Sequence, residues 1–137
     1  MKIKMIKYPN FVKAPKRAFC DDSGADVFAA ETVDIAPMGI CKMPLGIGIE
    51  IPVGYDAIIH CKSGMSTKGI WLANAPIDPG YRGQIHALLI NFSDKPYHIE
   101  RGDKVGQMVV RPVIYADFVE ELGEARGDAG FGSTGVR

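Results

Sequence analysis

The stretch of sequence that decides the fold is Cys41-Lys42-Met43-Pro44-Leu45-Gly46-Ile47-Gly48-Ile49-Glu50-Ile51. Its odd-numbered residues are all apolar, whereas the even-numbered ones include lysine, glycine and glutamate. This period-two alternation is typical of a β-strand with one buried face. Pro44 would remove a hydrogen bond from a central strand, so we expect an edge strand or a bulge at that point.

The rest of the chain contains further short segments that are also predicted to be strands. Turn residues rich in glycine and proline separate the segments at intervals of roughly 8 to 12 residues, which is typical of a sandwich, barrel or jelly roll. We expect one short helical turn between Lys62 and Ala73, and one or two more between Asp117 and Glu124. The other candidate strands are residues 1–8, 25–30, 55–61, 84–92, 97–99 and 104–115.

Composition limits the function classes. A chain of 137 residues is one domain, here divided into a β domain over residues 1–122 and a glycine-rich arm over 123–137. Sixteen basic residues balance sixteen acidic ones, so direct nucleic-acid binding is disfavoured. No apolar run approaches a membrane span. The three widely spaced cysteines suggest neither a disulfide framework nor a zinc site, and we expect a soluble, cytoplasmic protein.

A turn-forming run lies between two apolar segments, at Pro76-Ile77-Asp78-Pro79-Gly80-Tyr81-Arg82-Gly83. Proline and glycine suit the centre of a tight turn, so a plain β-hairpin explains Asp78, Pro79 and Gly80. A plain hairpin does not explain why Asp78, Tyr81 and Arg82 crowd into one loop, where catalytic groups tend to lie on a rigid sheet. From the turn alone both interpretations stay open.

The C-terminal arm also allows two interpretations. It is either a flexible tail or a flap in which glycine amides, arginine and hydroxyl groups bind phosphate while an aromatic ring stacks on a base. Gly130, Gly132 and Gly135 match the spacing G-x-G-x-x-G, but no helix follows, so a dinucleotide-binding site is not indicated.

Five ordered motifs resemble those of the trimeric dUTP pyrophosphatases, or dUTPases. Together they span most of the chain, and their order makes a chance match implausible. The motifs are Gly24-Ala25-Asp26-Val27-Phe28-Ala29-Ala30; Lys62-Ser63-Gly64-Met65; residues 77–83 with Asn91; Arg101-Gly102-Asp103-Lys104-Val105-Gly106-Gln107; and residues 126–135.

The resemblance implies an all-β fold, a distorted jelly roll or β-clip barrel assembled as a homotrimer, with a flexible arm closing over each active site. It also implies Mg²⁺-dependent hydrolysis of dUTP to dUMP and pyrophosphate, which limits uracil incorporation into DNA and supplies dUMP for dTMP synthesis. A dCTP deaminase-like enzyme of related fold and a nucleotide-responsive regulator that binds a protein partner remain as alternatives.

The resemblance also implies a role for each site residue. Asp78 orients and deprotonates the attacking water, Tyr81 packs on the deoxyribose and excludes a 2′-hydroxyl, and Asp26 reaches Mg²⁺ through water. Phe131 stacks on uracil. The other substrate-binding residues implied are Lys62, Ser63, Gly64, Asn74, Ile77, His86, Gln107, Arg126, Gly132, Ser133 and Thr134.

Two departures from the family pattern bear on specificity. The family usually has arginine where Lys62 stands, and lysine lacks the planar fork that binds phosphate bidentately. The segment from Ser63 to Asp78 is also shorter than usual. The first departure concerns phosphate binding and the second concerns discrimination of the base.

Overall fold

A computed structural model describes residues 1–125 together with Gly127, Asp128, Gly130, Gly132 and Gly135. Over these described residues eleven elements follow one another, and ten of them are strands. They are β1 (Lys4–Lys7), β2 (Ala25–Phe28), β3 (Val33–Ile35), β4 (Ile40–Pro44), β5 (Ile47–Glu50), β6 (Tyr55–His60), α1 (Ser63–Ser66), β7 (Ile70–Leu72), β8 (His86–Asn91), β9 (Tyr97–Ile99) and β10 (Lys104–Pro112).

The strands form four small antiparallel sheets: β1-β5, β2-β10-β6, β3-β9 and β4-β8-β7. Most neighbours within a sheet are distant in sequence, as in a jelly roll. Inward-facing side chains of all four sheets meet in one core, where Met43, Ile47, Leu89, Ile99 and Val105 are almost completely buried. The predicted all-β jelly roll is therefore confirmed.

The stretch from Cys41 to Ile51 forms two strands rather than one. β4 pairs with β8, whereas β5 pairs with β1, and the chain changes sheets at Leu45 and Gly46. Gly46 has a φ of +68°, a backbone conformation that glycine adopts at little cost. Pro44 ends β4 at the edge of its sheet, as predicted from its missing N–H.

Other predictions were confirmed or corrected. The helical turn after Lys62 is α1, over Ser63–Ser66. The predicted helical turns between Asp117 and Glu124 are wrong, because this described segment contains no helix. Phe118 and Leu122 are 98% and 92% exposed there, so a short helix would have no surface of its own chain to pack against. The last strand ends at Pro112, three residues earlier than predicted.

The described part of the chain contains no helix long and apolar enough to cross a membrane. Its three cysteines are free, with Cys20 exposed and Cys41 and Cys61 half-buried. Burial raises the pKa of the Cys41 thiol, and the negative charge of Glu31 raises it further.

Candidate active site

The turn at Asp78 joins β7 to β8. The amide of Tyr81 donates to the carbonyl of Asp78 at 3.3 Å, and Gly80 has a φ of +89°. Proline second and a positive-φ glycine third are the pattern of a type II turn. The Asp78 side chain is exposed on this turn and lines a cavity of about 410 Å³ between the two arms of the hairpin. The predicted hairpin is confirmed.

The arms of the hairpin separate at Asn74. Its side-chain Nδ2 donates to the carbonyl of His86 at 2.7 Å, and its Oδ1 accepts from the amide of Leu88 at 2.9 Å. Beyond Asn74 the chain leaves β8, and Ile77 forms a two-way backbone bridge with Ala57 of β6, at 2.6 and 3.1 Å. The divergence opens the cavity, which Asn74, Ile77 and His86 line together with Tyr81.

Tyr81 lies half exposed against its own turn. Its hydroxyl donates to the carbonyl of Gln84 at 3.0 Å. A Cβ on Gly83 would lie 2.5 Å from the Tyr81 hydroxyl oxygen, so residue 83 must be glycine for the ring to lie there. The backbone therefore holds the aromatic ring beside the Asp78 turn, at the wall of the cavity.

A second cavity, of about 490 Å³, is lined mainly by basic and hydroxyl side chains. We call it the basic cavity. Gln107 is fixed within it because its Nε2 donates to the carbonyl of Cys61 at 2.9 Å, and a Cβ on Gly24 would lie 2.6 Å from its Oε1. The lining residues are Lys62, Ser63, Gly64, Met65, Thr67, Lys68, Tyr97, Lys104 and Gln107.

The sheet order explains why distant motifs meet at this cavity. In the sheet β2-β10-β6, Gln107 of β10 is the register partner of both Asp26 on β2 and His60 on β6. Lys62 and Ser63 come two and three residues after His60, the last residue of β6, so they lie at the same end of the sheet. Three of the sequence motifs are therefore brought together by one central strand.

Asp26 is the acidic centre beside the basic cavity, with only 6% of its surface exposed. Lys62 Nζ bonds to Oδ1 of this carboxylate, and Lys104 Nζ lies 3.0 Å from Oδ2. Burial raises the pKa of the Asp26 carboxyl, but the hydrogen bonds and charges of Lys62 and Lys104 outweigh burial and hold the pKa below its ordinary value. Asp26 is therefore held as a carboxylate.

The site's donor groups fit a magnesium ion that arrives with a phosphate ligand. Among the described residues, no group of three or more His, Cys, Asp or Glu side chains converges as a protein-only metal site. Mg²⁺ is commonly held by one or two carboxylates together with substrate phosphates and water. A single carboxylate at Asp26, next to a cavity of cationic and hydroxyl groups, matches that arrangement.

Sequence reasoning missed Lys104 as a site residue. It belongs to the fourth motif, but only Gln107 of that motif was assigned a role. The available signal was its position three residues before Gln107 on the predicted strand 104–115. An irregularity in the β2–β10 register between Lys104 and Gly106 places its ammonium group on Asp26 rather than on the opposite face.

Within one chain most of the predicted site residues fall into two groups, and Asp26 lines neither of the two cavities. Asp78, Asn74, Ile77, Tyr81 and His86 line the hairpin cavity, whereas Lys62, Ser63, Gly64 and Gln107 line the basic cavity. No described residue lines both cavities. The predicted residues Arg126, Phe131, Ser133 and Thr134 lie outside the described residues, and Gly132 is described with a φ of +83°.

The structure combines an antiparallel jelly roll with an exposed aspartate on a hairpin turn and a lysine-rich cavity beside a buried carboxylate, a set of groups suited to an enzyme that acts on a phosphate-bearing substrate. The dUTPase family model matches residues 11–135, and the chain belongs to the dUTPase family. A dCTP deaminase-like enzyme is accordingly not favoured.

Similar proteins span almost the whole chain. Deoxyuridine 5'-triphosphate nucleotidohydrolase of Gloeothece citriformis is 41% identical over 143 residues, covering 99% of this chain and 98% of the relative. The Corynebacterium glutamicum protein of the same name is 41% identical, with coverages of 97% and 94%. Among solved structures, Staphylococcus bacteriophage 80alpha dUTPase with dUPNHPP has a TM-score of 0.89 at 27% identity, covering 98% of this chain and 99% of that one.

Proposed function

We propose that this protein hydrolyses dUTP to dUMP and pyrophosphate, by attack of water on the α-phosphorus. The observation that carries the proposal is the match of the dUTPase family across residues 11–135, with an exposed aspartate on the hairpin turn and a basic cavity of the right chemistry for a triphosphate. The relatives named as deoxyuridine 5'-triphosphate nucleotidohydrolases support dUTP as the substrate.

In this proposal the hairpin cavity holds the nucleoside. The base edge bonds to backbone groups of the loop around Ile77 and to His86, whose carbonyl accepts from Asn74 and has a second lone pair available. Tyr81 packs against the deoxyribose. A ring fixed by its bond to the Gln84 carbonyl leaves no room for a 2′-hydroxyl, so UTP is rejected.

The basic cavity holds the phosphates. Lys62, Ser63 and Gly64 bind phosphate oxygens, and Gln107 contacts the α-phosphate region. Lys104 and Lys68 line the same cavity, and we include them among the phosphate-binding residues. Cations at fixed positions stabilise the charge that develops on the triphosphate during reaction. Mg²⁺, on which the family depends, adds charge neutralisation and orients the phosphates when bound. Asp26 would hold it through water.

Asp78 acts as the general base. It accepts a proton from the water that attacks the α-phosphorus, and the bond from the α-phosphorus to its bridging oxygen breaks to release pyrophosphate. A positioned base contributes roughly 10²- to 10⁴-fold to the rate. The larger share comes from charge stabilisation at the triphosphate, so both cavities are needed for turnover.

A homotrimer completes the proposed site. The hairpin cavity and the basic cavity are separate within one chain, and a nucleotide must contact both, so residues of neighbouring subunits supply the two halves. The arm over residues 123–137 closes the third side: Phe131 stacks on uracil, while Arg126, Gly132, Ser133 and Thr134 bind the β- and γ-phosphates. A cytoplasmic location is also part of the proposal, supported by the three free cysteines.

The experiment that tests this function is a pyrophosphate-release assay over dUTP, dTTP, dCTP and UTP in the presence of Mg²⁺. We expect release from dUTP at a kcat/KM that exceeds those of the other three nucleotides. Each nucleotide is also incubated with EDTA as a control. The absence of pyrophosphate release from dUTP by folded protein would contradict the proposal, and ammonia release from dCTP would favour the deaminase.

Binding of a regulatory protein partner is a second candidate function. The observation that favours it is the likeness to the Staphylococcus bacteriophage 80alpha dUTPase, described among phage dUTPases that control transfer of virulence genes by a G protein-like mechanism. A partner whose affinity changes at least tenfold when dUTP is added would support this function. Equal affinity for the partner with and without dUTP would show that partner binding does not respond to the nucleotide.

A further inference from the structure

The N-terminal strap is the segment Tyr8-Pro9-Asn10-Phe11, which follows β1 and lies beside the Asp78 turn. The Tyr8 hydroxyl donates to the carbonyl of Arg82 at 2.9 Å. Asn10 Nδ2 donates to Gln84 Oε1, also at 2.9 Å. The strap thus bonds twice to the end of the turn, although the bonded residues are 74 positions apart in each case.

Two glycines, Gly46 just before β5 and Gly48 within it, leave room for the strap to pack closely. A Cβ on Gly48 would lie 3.3 Å from the Tyr8 ring and 3.2 Å from the carbonyl oxygen of Gly83, so strap, strand and turn touch at this point. A Cβ on Gly46 would lie 2.8 Å from Phe11 Cα. The Tyr8 amide also donates to the Gly46 carbonyl at 3.0 Å. The strap is therefore held against the sheet as well as against the turn.

The polarity of the second bond is fixed by the backbone. The Gly46 amide donates to Gln84 Oε1 at 3.0 Å, so that atom must be an acceptor. The partner of the same oxygen on the strap must then be a donor, which assigns the Asn10 amide with its nitrogen toward Gln84. The contact between the strap and the turn, which we call the junction, therefore uses only the amide oxygen of Gln84 and the amide nitrogen of Asn10.

Asp78 lies between this junction and a second anchor. On its N-terminal side, Ile77 is bridged to Ala57 by two backbone hydrogen bonds. On its C-terminal side, Arg82 and Gln84 are held by the strap. Between the two anchors the chain is held by hydrogen bonds within the turn. The Tyr81 amide donates to the Asp78 carbonyl, and the Tyr81 hydroxyl donates to the Gln84 carbonyl.

We infer that the N-terminal strap is a positioning element for the reaction: Tyr8 and Asn10 hold Arg82 and Gln84, and thereby set where Asp78 and Tyr81 meet the nucleotide. The inference rests on the proposed dUTP hydrolysis for its kinetic consequence. A displacement of about 1 Å in a catalytic group can cost 10²-fold in rate. Loss of the strap bonds should therefore lower kcat more than it changes KM.

The test compares Tyr8→Phe and Asn10→Asp with the wild-type protein. Tyr8→Phe removes only the hydroxyl bond, and Asn10→Asp places a carboxylate oxygen against the acceptor Gln84 Oε1. We expect each variant to lower kcat for dUTP about 10- to 100-fold, with KM within about threefold. We also expect discrimination against UTP to fall, and amide hydrogen exchange at Tyr81, whose amide donates to the Asp78 carbonyl, to become faster.

Two further variants serve as matched controls. Gln84→Glu keeps two acceptor oxygens, so the amide protection of Tyr81 should stay close to wild type. Tyr115→Phe removes a tyrosine hydroxyl that bonds to a backbone amide elsewhere, that of Gly54 at 3.0 Å, so its kcat should not change. If Asn10→Asp fails to fold, Asn10→Ala with Tyr8→Phe tests the same two bonds.

Several outcomes would overturn the inference. One is a kcat and a Tyr81 amide protection that both stay within twofold of wild type in the strap variants. Another is a lower melting temperature with unchanged kcat, which would make the strap purely structural. Equal loss of protection in Gln84→Glu and Asn10→Asp would contradict the hydrogen-bond assignment. If the wild-type protein does not hydrolyse dUTP, the proposed function fails, while the amide protection still decides whether the strap holds the turn.

Discussion

The ammonium group of Lys104 lies 3.0 Å from Oδ2 of Asp26, and Lys62 occupies the other oxygen of the same buried carboxylate. Both cations also border the basic cavity. Asp26 therefore fixes two lysines at the edge of the proposed phosphate site. The two lysines partly neutralise the charge of Asp26 until they bind a phosphate ligand instead. Lysine ammonium groups are mobile point charges, so they can turn from the carboxylate to a phosphate oxygen.

Replacement of Lys104 tests its role in phosphate binding. We expect Lys104→Met to raise the KM for dUTP about tenfold, with kcat within about threefold, because a cation that binds the ground state and the transition state equally contributes to KM alone. The matched control is Lys95→Met, in the turn between β8 and β9 and outside both cavities. Steady-state kinetics with dUTP measures both variants. An unchanged KM in Lys104→Met would contradict the proposal that Lys104 binds phosphate.

Replacement of Asp78 tests the general base. Asp78→Asn keeps the shape of the side chain but cannot accept the proton from water, so we expect kcat to fall by about 10² to 10⁴. Binding of dUTP, measured by isothermal titration calorimetry, should stay within about threefold. Asp94→Asn changes an exposed aspartate in another turn and should keep normal kinetics. A near-normal kcat for Asp78→Asn would reject the assignment.

Removal of residues 126–137 tests the arm. We expect the shortened protein to remain a trimer by light scattering, because the described core and sheets lie entirely before residue 113. We expect its dUTP hydrolysis to fall at least 100-fold, since the proposed stacking and phosphate contacts are lost. Full activity in the shortened protein would show that the arm has no role in catalysis, and would favour its interpretation as a flexible tail.

The Arg111–Asp56 pair tests what holds β10 to β6. These residues are register partners, and the guanidinium donates to both carboxylate oxygens at 3.1 and 2.9 Å. Arg111→Met leaves the buried Asp56 without its cation. Because the Arg111 side chain is itself about half exposed, we expect a modest loss in the free energy of unfolding, smaller than that for a fully buried pair.

Urea denaturation at equal protein concentration measures this loss. The control is Arg82→Met, which breaks a pair with Glu50 at 3.7 Å in which both side chains are 48% exposed. That variant should change the free energy of unfolding by less than about 1 kcal/mol. Equal losses in the two variants would show that burial does not decide the strength of these pairs.

His98 provides a test of pH dependence. Its ring nitrogens lie 2.7 Å from Glu100 and 2.6 Å from Asp34, and these hydrogen bonds raise the pKa of His98 above its ordinary value of about 6.5. A raised pKa means that the folded state favours the protonated ring. Its contribution to stability is thus fully present below about pH 6.5 and is lost as the pH rises through the folded pKa.

NMR titration of the His98 ring measures that pKa. We expect Asp34→Asn to lower the pKa of His98, because one of the two carboxylates that hold the proton is removed. Asp21→Asn, a change in an exposed loop, should leave the titration of His98 unchanged. A His98 pKa that is the same in wild type and Asp34→Asn would contradict the expected pairing across β3 and β9.

Local sequence predicted the strands well because their cause is local. Alternating apolar residues predict a buried face, and proline and glycine end a strand through their own backbone limits, as at Pro44 and Gly46. The turn at Asp78 and the helical turn after Lys62 were predicted for the same reason. The helix predicted between Asp117 and Glu124 was wrong, because a short helix depends on packing that these exposed residues do not have.

By itself, then, the sequence determined the strand content, the turn that carries Asp78 and the motifs that place the chain in its family. The tertiary structure decided which of those motifs meet. β10 lies between β2 and β6, so Asp26, Lys62 and Gln107 converge and Lys104 joins them, while Asp78 lies in the turn between β7 and β8 and lines the other cavity. It also decided that Tyr8 and Asn10 bond to Arg82 and Gln84 at the end of the Asp78 turn. Both results depend on strand pairings between residues tens of positions apart, and no local pattern along the chain specifies such pairings.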